Sequence, residues 1–253
     1  MNSRGVLLLA ALLAPLWAAA QFSPTAHDAR SGAMGGCLLL PADSSAGWAT
    51  LDWRQGYLMQ GMATRSLAAG MHFGTVGRVA AAYSHFGDAD YHEQQAALAV
   101  GMRVTRWLTL GVYGLYSNIG TSDPHYCPQH WLDGGLALQI DGNRNIDWGG
   151  YVVANSRSWD ESRPIGMRAG ITYRPVSDLL TVVELSMDDR TRLRCGMEYA
   201  YQHRYFARVG LSTNPLLMSF GLGCRLGRYH IDLDTEVHPV LGLSPQISLG
   251  LCL

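Results

Sequence analysis

Beyond its first twenty residues the 253-residue chain lacks any uninterrupted apolar run of about 18 residues, the length a helix needs to cross a bilayer. Charge is sparse: Asp, Glu, Lys and Arg make up 15%, and 19 cations against 20 anions leave a net charge of −1. So even a balance gives no electrostatic case for binding nucleic acid. Five cysteines are an odd number, so at least one is unpaired in a monomer, and a disulfide framework does not hold the fold together. No helical period runs over any comparable length, which excludes a helical bundle. Ser84 and His85 are adjacent on one strand and point to opposite faces, and no other Ser, His and Asp grouping is specific. The chain is therefore not expected to be an enzyme, and nothing in it asks for a cofactor.

What is present begins with MNSRGVLLLAALLAPLWAAAQFS, where Arg4 precedes an apolar run to Trp17 and then Ala18-Ala19-Ala20. This is the pattern of a secretory signal peptide, expected over 1–20 with cleavage after Ala20. The run is short for a spanning helix and contains Pro15. Residues 21–54 look irregular, and after them a period of two takes over.

Period-two segments are expected at 57–64, 65–73, 76–86, 94–104, 107–118, 131–140, 146–155, 165–173, 179–188, 191–201, 204–212, 216–226, 229–237 and 243–253. Most approach the ~9–11 residues with which a tilted strand crosses a bilayer. Connections at one end are long (87–93, 119–130, 156–164), whereas those at the other are tight, such as Gly74-Thr75, Gln202-His203 and Gly227-Arg228. Parity separates the faces: Leu193, Cys195, Met197, Tyr199 and Tyr201 lie opposite Arg192, Arg194, Gly196 and Glu198. Tyr173, Tyr201, Tyr205 and Tyr229 sit on the apolar face beside tight turns, where an interfacial girdle belongs. The expected fold is all-β: a transmembrane antiparallel β-barrel of about 14 strands over 55–253, facing outer-membrane lipid.

By the same parity the lumen holds Arg78, Arg103, Arg168, Arg192, Arg194, Arg208 and Arg225 against Asp133, Asp147, Glu184, Glu198, Asp232, Asp234 and Glu236. Seven against seven points to cross-strand pairing in the wall rather than to selection of one ionic sign. Asp123, His125, Cys127 and His130 carry metal-ligand chemistry, as do His85, Asp88, Asp90 and His92, but both sets read as solvated loops and no metal is expected. Cys195 and Cys224 face outward about 10 Å apart, beyond disulfide reach, whereas a Cys37–Cys252 link is conceivable. Inward glycines (Gly70, Gly101, Gly135, Gly196, Gly210, Gly221, Gly250) either leave room for something in the lumen or let the strands curve.

Two stretches resemble a known group. AHDARSGAMGGCLLLPADSSAGWATLDW (26–53) is similar to the opening of the PorV/PorQ-type barrels of type IX secretion in Bacteroidota, members of the FadL-like superfamily. LGLSPQISLGLCL at the end resembles that group's closing LG-x-x-H-x-I-S-L-G. The group's Asn-Pro-Ala is replaced by Thr50-Leu51-Asp52-Trp53, Gln246 stands near the basic position, and Leu253 replaces an aromatic. The resemblance implies fourteen strands with residues 21–54 as a plug. It also implies a barrel of the bacterial outer membrane that docks a protein partner, as an accessory of a secretion or surface-protein assembly machine. Tyr126 and Trp159, on the long loops, are then the expected anchors. The alternatives are a FadL-like passive transporter of hydrophobic small molecules and a purely structural barrel.

Overall fold

A computed structural model of the chain describes residues 28–38, 46–74, 77–123, 125, 127–143, 145–155, 166–187 and 190–253. The expected signal peptide, Tyr126 and Trp159 lie outside them. Two-residue alternation dictates what forms. Each strand has one aliphatic or aromatic row and one small or charged row, so no strand satisfies both faces in water alone. Fourteen strands close into one antiparallel barrel, each paired to its sequence neighbours, with the last returning to the first. Closure satisfies every backbone ladder and leaves no edge, as a lipid-embedded sheet requires. No helix among the described residues is long and apolar enough to cross a membrane.

The strands are β1 (Gly47–Gln55), β2 (Ala63–Phe73), β3 (Gly77–Gly87), β4 (Tyr91–Arg103), β5 (Leu108–Thr121), β6 (Gln129–Asn143) and β7 (Ile146–Asn155). They continue as β8 (Gly166–Val176), β9 (Leu179–Met187), β10 (Thr191–Tyr201), β11 (Tyr205–Ser212), β12 (Leu217–Leu226), β13 (Tyr229–His238) and β14 (Gly242–Cys252). A short helix, α1 (Ala29–Ala33), precedes them. The first expected strand is displaced. Residues 57–62 are not a strand: a 3-10 turn at Gly56–Leu58 lies in the connection from β1 to β2, residues 63 and 64 open β2, and β1 begins at Gly47. The sequence GWATLDWRQ alternates inward Thr50 and Asp52 with outward Leu51 and Trp53, and pairs from Trp48 to Arg54 with Gln246 to Cys252.

The outer surface is apolar to a degree no water-facing surface tolerates. Leu136 and Leu222 are 64% and 65% exposed, with Leu98, Val112 and Leu233 similarly bare. Tyr173, Tyr201, Tyr205 and Tyr229 form an exposed ring near the short-turn end, joined by Trp107 and Trp148. The inner row is buried and polar, with Ser186, Ser219, Ser244 and Ser248 fully enclosed. Short turns join strands at one end; in one, Gly227 takes φ of +65°, a value glycine adopts without strain.

Candidate functional site

Any traffic through a barrel uses its lumen, and here the first described residues lie within it. Asp28 caps α1, accepting a bond from Ser31 N at 2.7 Å, and the chain reverses at Gly35 and Gly36 (φ +74° and +76°). The segment then lies against the inner wall of β9–β14. Arg30 reaches both oxygens of Glu198, at 2.9 and 3.0 Å. Ala29 N donates to Ser248 Oγ at 2.6 Å, and Leu38 N to Glu184 Oε2 at 2.9 Å. Met34 and Cys37 pack with Leu180 and Val182, all almost completely buried. Burial in that cluster pushes the Cys37 thiol well up from its ordinary value, with nearby Glu184 adding to the effect.

Three inward glycines make this docking sterically feasible. A Cβ on Gly196 would lie 2.7 Å from Met34 O, one on Gly210 2.1 Å from Gly35 N, and one on Gly221 2.4 Å from Ala33 Cβ. Room in the lumen thus accounts for these three. At others the space goes to a neighbouring side chain: Trp48 lies over Gly70, Arg78 over Gly101, Tyr113 over Gly135 and His230 over Gly250.

All fourteen lumen residues expected from parity lie on inward-facing rows, and the structure shows how they are engaged. Arg208 bridges Glu198 at 2.6 Å and Asp232 at 2.5 Å. Arg168 and Arg194 converge on Glu184, at 3.3 and 3.7 Å, and Glu184 is wholly buried. Asp147 and Glu236 take cations that parity alone had not put in the set, Arg174 at 3.4 Å and Arg54 at 2.7 Å. Arg30, from the N-terminal segment, is the third such partner. Arg174 was legible, since it shares the parity of Arg168; Arg54 became so only once β1 was placed. Elsewhere Arg78 meets Gln139, Arg192 meets the carbonyl of Asn214, and Arg225 stacks with Arg208 about the Phe206 ring. Arg103 is exposed, whereas Asp133 and Asp234 are buried, the latter against Gly32 of α1.

The opposite wall differs. Midway along β2–β4 the inward positions are Ala68, Ala80, Ala82, Ala97 and Ala99, between Ser66, Ser84 and Gln95 toward the long-connection end and Arg78 and Arg103 toward the other. They face a space of about 160 Å³ whose other side is Asp28, Trp48, Thr50 and Asp52. A second space of about 450 Å³ opens toward the short-turn end, among Arg174, Asp178, His203, Arg225 and His230. Cys37 and Cys252 are both free thiols, so the conceivable link between them is not made. Cys37 sits with Val182, and Cys252 lies 3.9 Å from His230 Nδ1. Of the two loop sets, Asp88 and Asp90 are in the β3–β4 connection, but His85, His92 and His130 belong to strands. Among the described residues no three His, Cys, Asp or Glu side chains converge as metal ligands would.

No family model and no curated protein matches the chain. Solved structures do. The toluene transporter TodX of Pseudomonas putida superposes with a TM-score of 0.62 at 10% identity, covering 94% of this chain and 98% of its own. The CymD monoaromatic hydrocarbon channel gives 0.61 at 9% identity, over 83% and 89%. The fold is thus the closed antiparallel barrel that these outer-membrane proteins share. At such identities the likeness is one of architecture. It gives no support to the PorV/PorQ side of the resemblance.

Proposed function

We propose that this barrel is a passive channel of the bacterial outer membrane for small apolar molecules, the alternative raised beside protein docking. The observation that carries it is the end-to-end likeness to TodX, a toluene transporter. The lumen is compatible: one wall is locked to the N-terminal segment by ion pairs, and the other is an alanine surface bordering open space. An apolar solute loses little solvation along such a wall, whereas an ion would have to compete with guanidiniums and carboxylates already paired. No specific observation favours the docking alternative, whose anchors Tyr126 and Trp159 fall outside the described residues.

The test is uptake of labelled toluene by cells with an intact outer membrane, with and without the barrel. Expression should raise the initial rate, and Ala82→Trp or Ala97→Trp, which fill the alanine side, should return it to background. A folded, membrane-inserted barrel that leaves the rate unchanged would refute the channel.

A further inference from the structure

The outer surface carries one row that breaks its apolar character. Arg65 of β2 is paired in register with His85 of β3, His85 with Gln94 of β4, Gln94 with Asn118 of β5, and Asn118 with His130 of β6. All five share the outward parity of the row beneath, Leu67, Tyr83, Ala96, Tyr116 and Leu132. The polar row spans four strand spacings, about 19 Å. It lies within three residues of the long-connection end of every strand it crosses. Every member can donate a hydrogen bond and none is a carboxylate. Among the described residues Arg65 makes no ion pair; the His85 ring is held by stacking on His92, 5.9 Å between centroids, and His130 by Tyr116 Oη at 2.8 Å. Three acids lie close by: Asp88 and Asp90 of the β3–β4 connection, which accept from Asp90 N and from Ser122 Oγ of the β5–β6 connection, and Glu93, of inward parity beside Gln94, which accepts from Tyr91 Oη.

The opposite wall has no counterpart. At the same end of β9–β14 the outward residues are Met187, Leu193, Leu211, Met218, Val237 and Leu243, the polar ones being the neutral hydroxyls of Thr191 and Thr235, and apolar side chains continue to the tips at Leu216 and Val240. Thus the donor row is a local feature of β2–β6. Tyr83 and Tyr116 directly below it, with Trp53 beside Arg65, mark the level where hydrocarbon gives way to headgroups.

We propose that this row seats the phosphate groups of the lipid leaflet at the long-connection end, the phosphorylated glycolipid of an outer membrane. The guanidinium supplies the charge, and the imidazoles and amides supply donors at a height fixed by the tyrosines below. The proposal rests on the membrane reading of the barrel, and the experiment separates the two. The full chain is placed in nanodiscs of phosphatidylcholine containing a minor fraction of bis-phosphorylated lipid A, or of the same lipid dephosphorylated, and retained lipids are counted by native mass spectrometry. Retention of the phosphorylated form should exceed that of the dephosphorylated one. Arg65→Ala should lower it about fivefold, the effect of one cation at an anionic surface, and Arg65→Ala/His85→Ala/His130→Ala should bring it to the bulk level. Thr235→Ala, outward on the far wall, should change nothing. Equal retention of both lipids, or retention unaffected by the triple variant, overturns the proposal while leaving the barrel intact. Failure of the chain to enter nanodiscs overturns the membrane reading, and the proposal with it.

Discussion

Replacing Arg30 with Ala should loosen the N-terminal segment without unmaking the barrel. Arg30 gives Glu198 two charge-assisted bonds, at 2.9 and 3.0 Å, and its side chain is 23% exposed against 8% for Glu198. Removing one member of a fully buried pair costs about 3–5 kcal/mol. Here the loss is smaller, because Arg208 still holds Glu198 at 2.6 Å and the carboxylate is not orphaned. About 2 kcal/mol, roughly a 30-fold rise in the displaced population, is the expected scale. Cys37 reports it, being wholly buried under the docked segment. In a background where Cys127, Cys195, Cys224 and Cys252 are replaced by Ala, alkylation of Cys37 needs the segment to leave, so its rate follows that population. Arg30→Ala should accelerate alkylation about 30-fold, and Arg30→Lys, which keeps the charge but not the fork, should fall between. Heat-modified mobility on gels should show a folded barrel in each case. An unchanged alkylation rate in Arg30→Ala would refute the clamp.

Three further outcomes follow from the same geometry. Glu184→Gln removes the carboxylate shared by Arg168 and Arg194 and should destabilise the barrel by about 3 kcal/mol or more, read as a lower temperature of heat-modified mobility. Gly210→Ala, whose Cβ would meet Gly35 N at 2.1 Å, should displace the segment and speed Cys37 alkylation; Gly114→Ala, with nothing nearer than 4.0 Å, should not. Raising the pH to about 9, where an ordinary thiol is largely ionised, should leave Cys37 unreactive in the native protein, since burial pushes its thiol up and the thiolate is the reacting form.

The strand rhythm was legible because lipid and lumen impose opposite demands on successive residues. A run such as Arg192 to Tyr201 records both, and its parity survives uncertainty at either end. The start of the barrel was less legible. GWATLDWRQ has the same alternation, but it contains only a few outward apolar residues, and its partner strand lies almost two hundred residues away at Gln246 to Cys252. Local pattern cannot reveal a pairing made only when the barrel closes. Charge pairing shows the same limit. Parity put Glu198 and Arg208 on one face, yet it could not place Arg30, which comes from a segment with no strand period at all. The inward glycines were ambiguous for a related reason: Gly196 and Gly70 look alike in sequence, and only the structure shows Met34 filling the space above one and Trp48 the other.

The division of the lumen into two walls bears on how the proposed channel would conduct with residues 28–38 against its inner wall. On β9–β14 the N-terminal segment is held by charge pairs, backbone bonds to Ser248 and Glu184, and glycine clearances; displacing it there breaks all of them together. Midway along β2–β4 it faces a patch of alanines, which offer no hydrogen bond and no charge. A passage that opens along the alanine side therefore leaves the ion pairs intact, whereas one on the charged side requires their rupture at several kcal/mol. The cheaper route predicts that Glu198→Ala, which frees the segment, and Ala82→Trp, which fills the alanine side, act in opposite directions on solute entry. If entry in the double variant stays at the level of Ala82→Trp alone, solute moves along the alanine wall; if it rises to that of Glu198→Ala alone, solute moves through the space that the segment vacates.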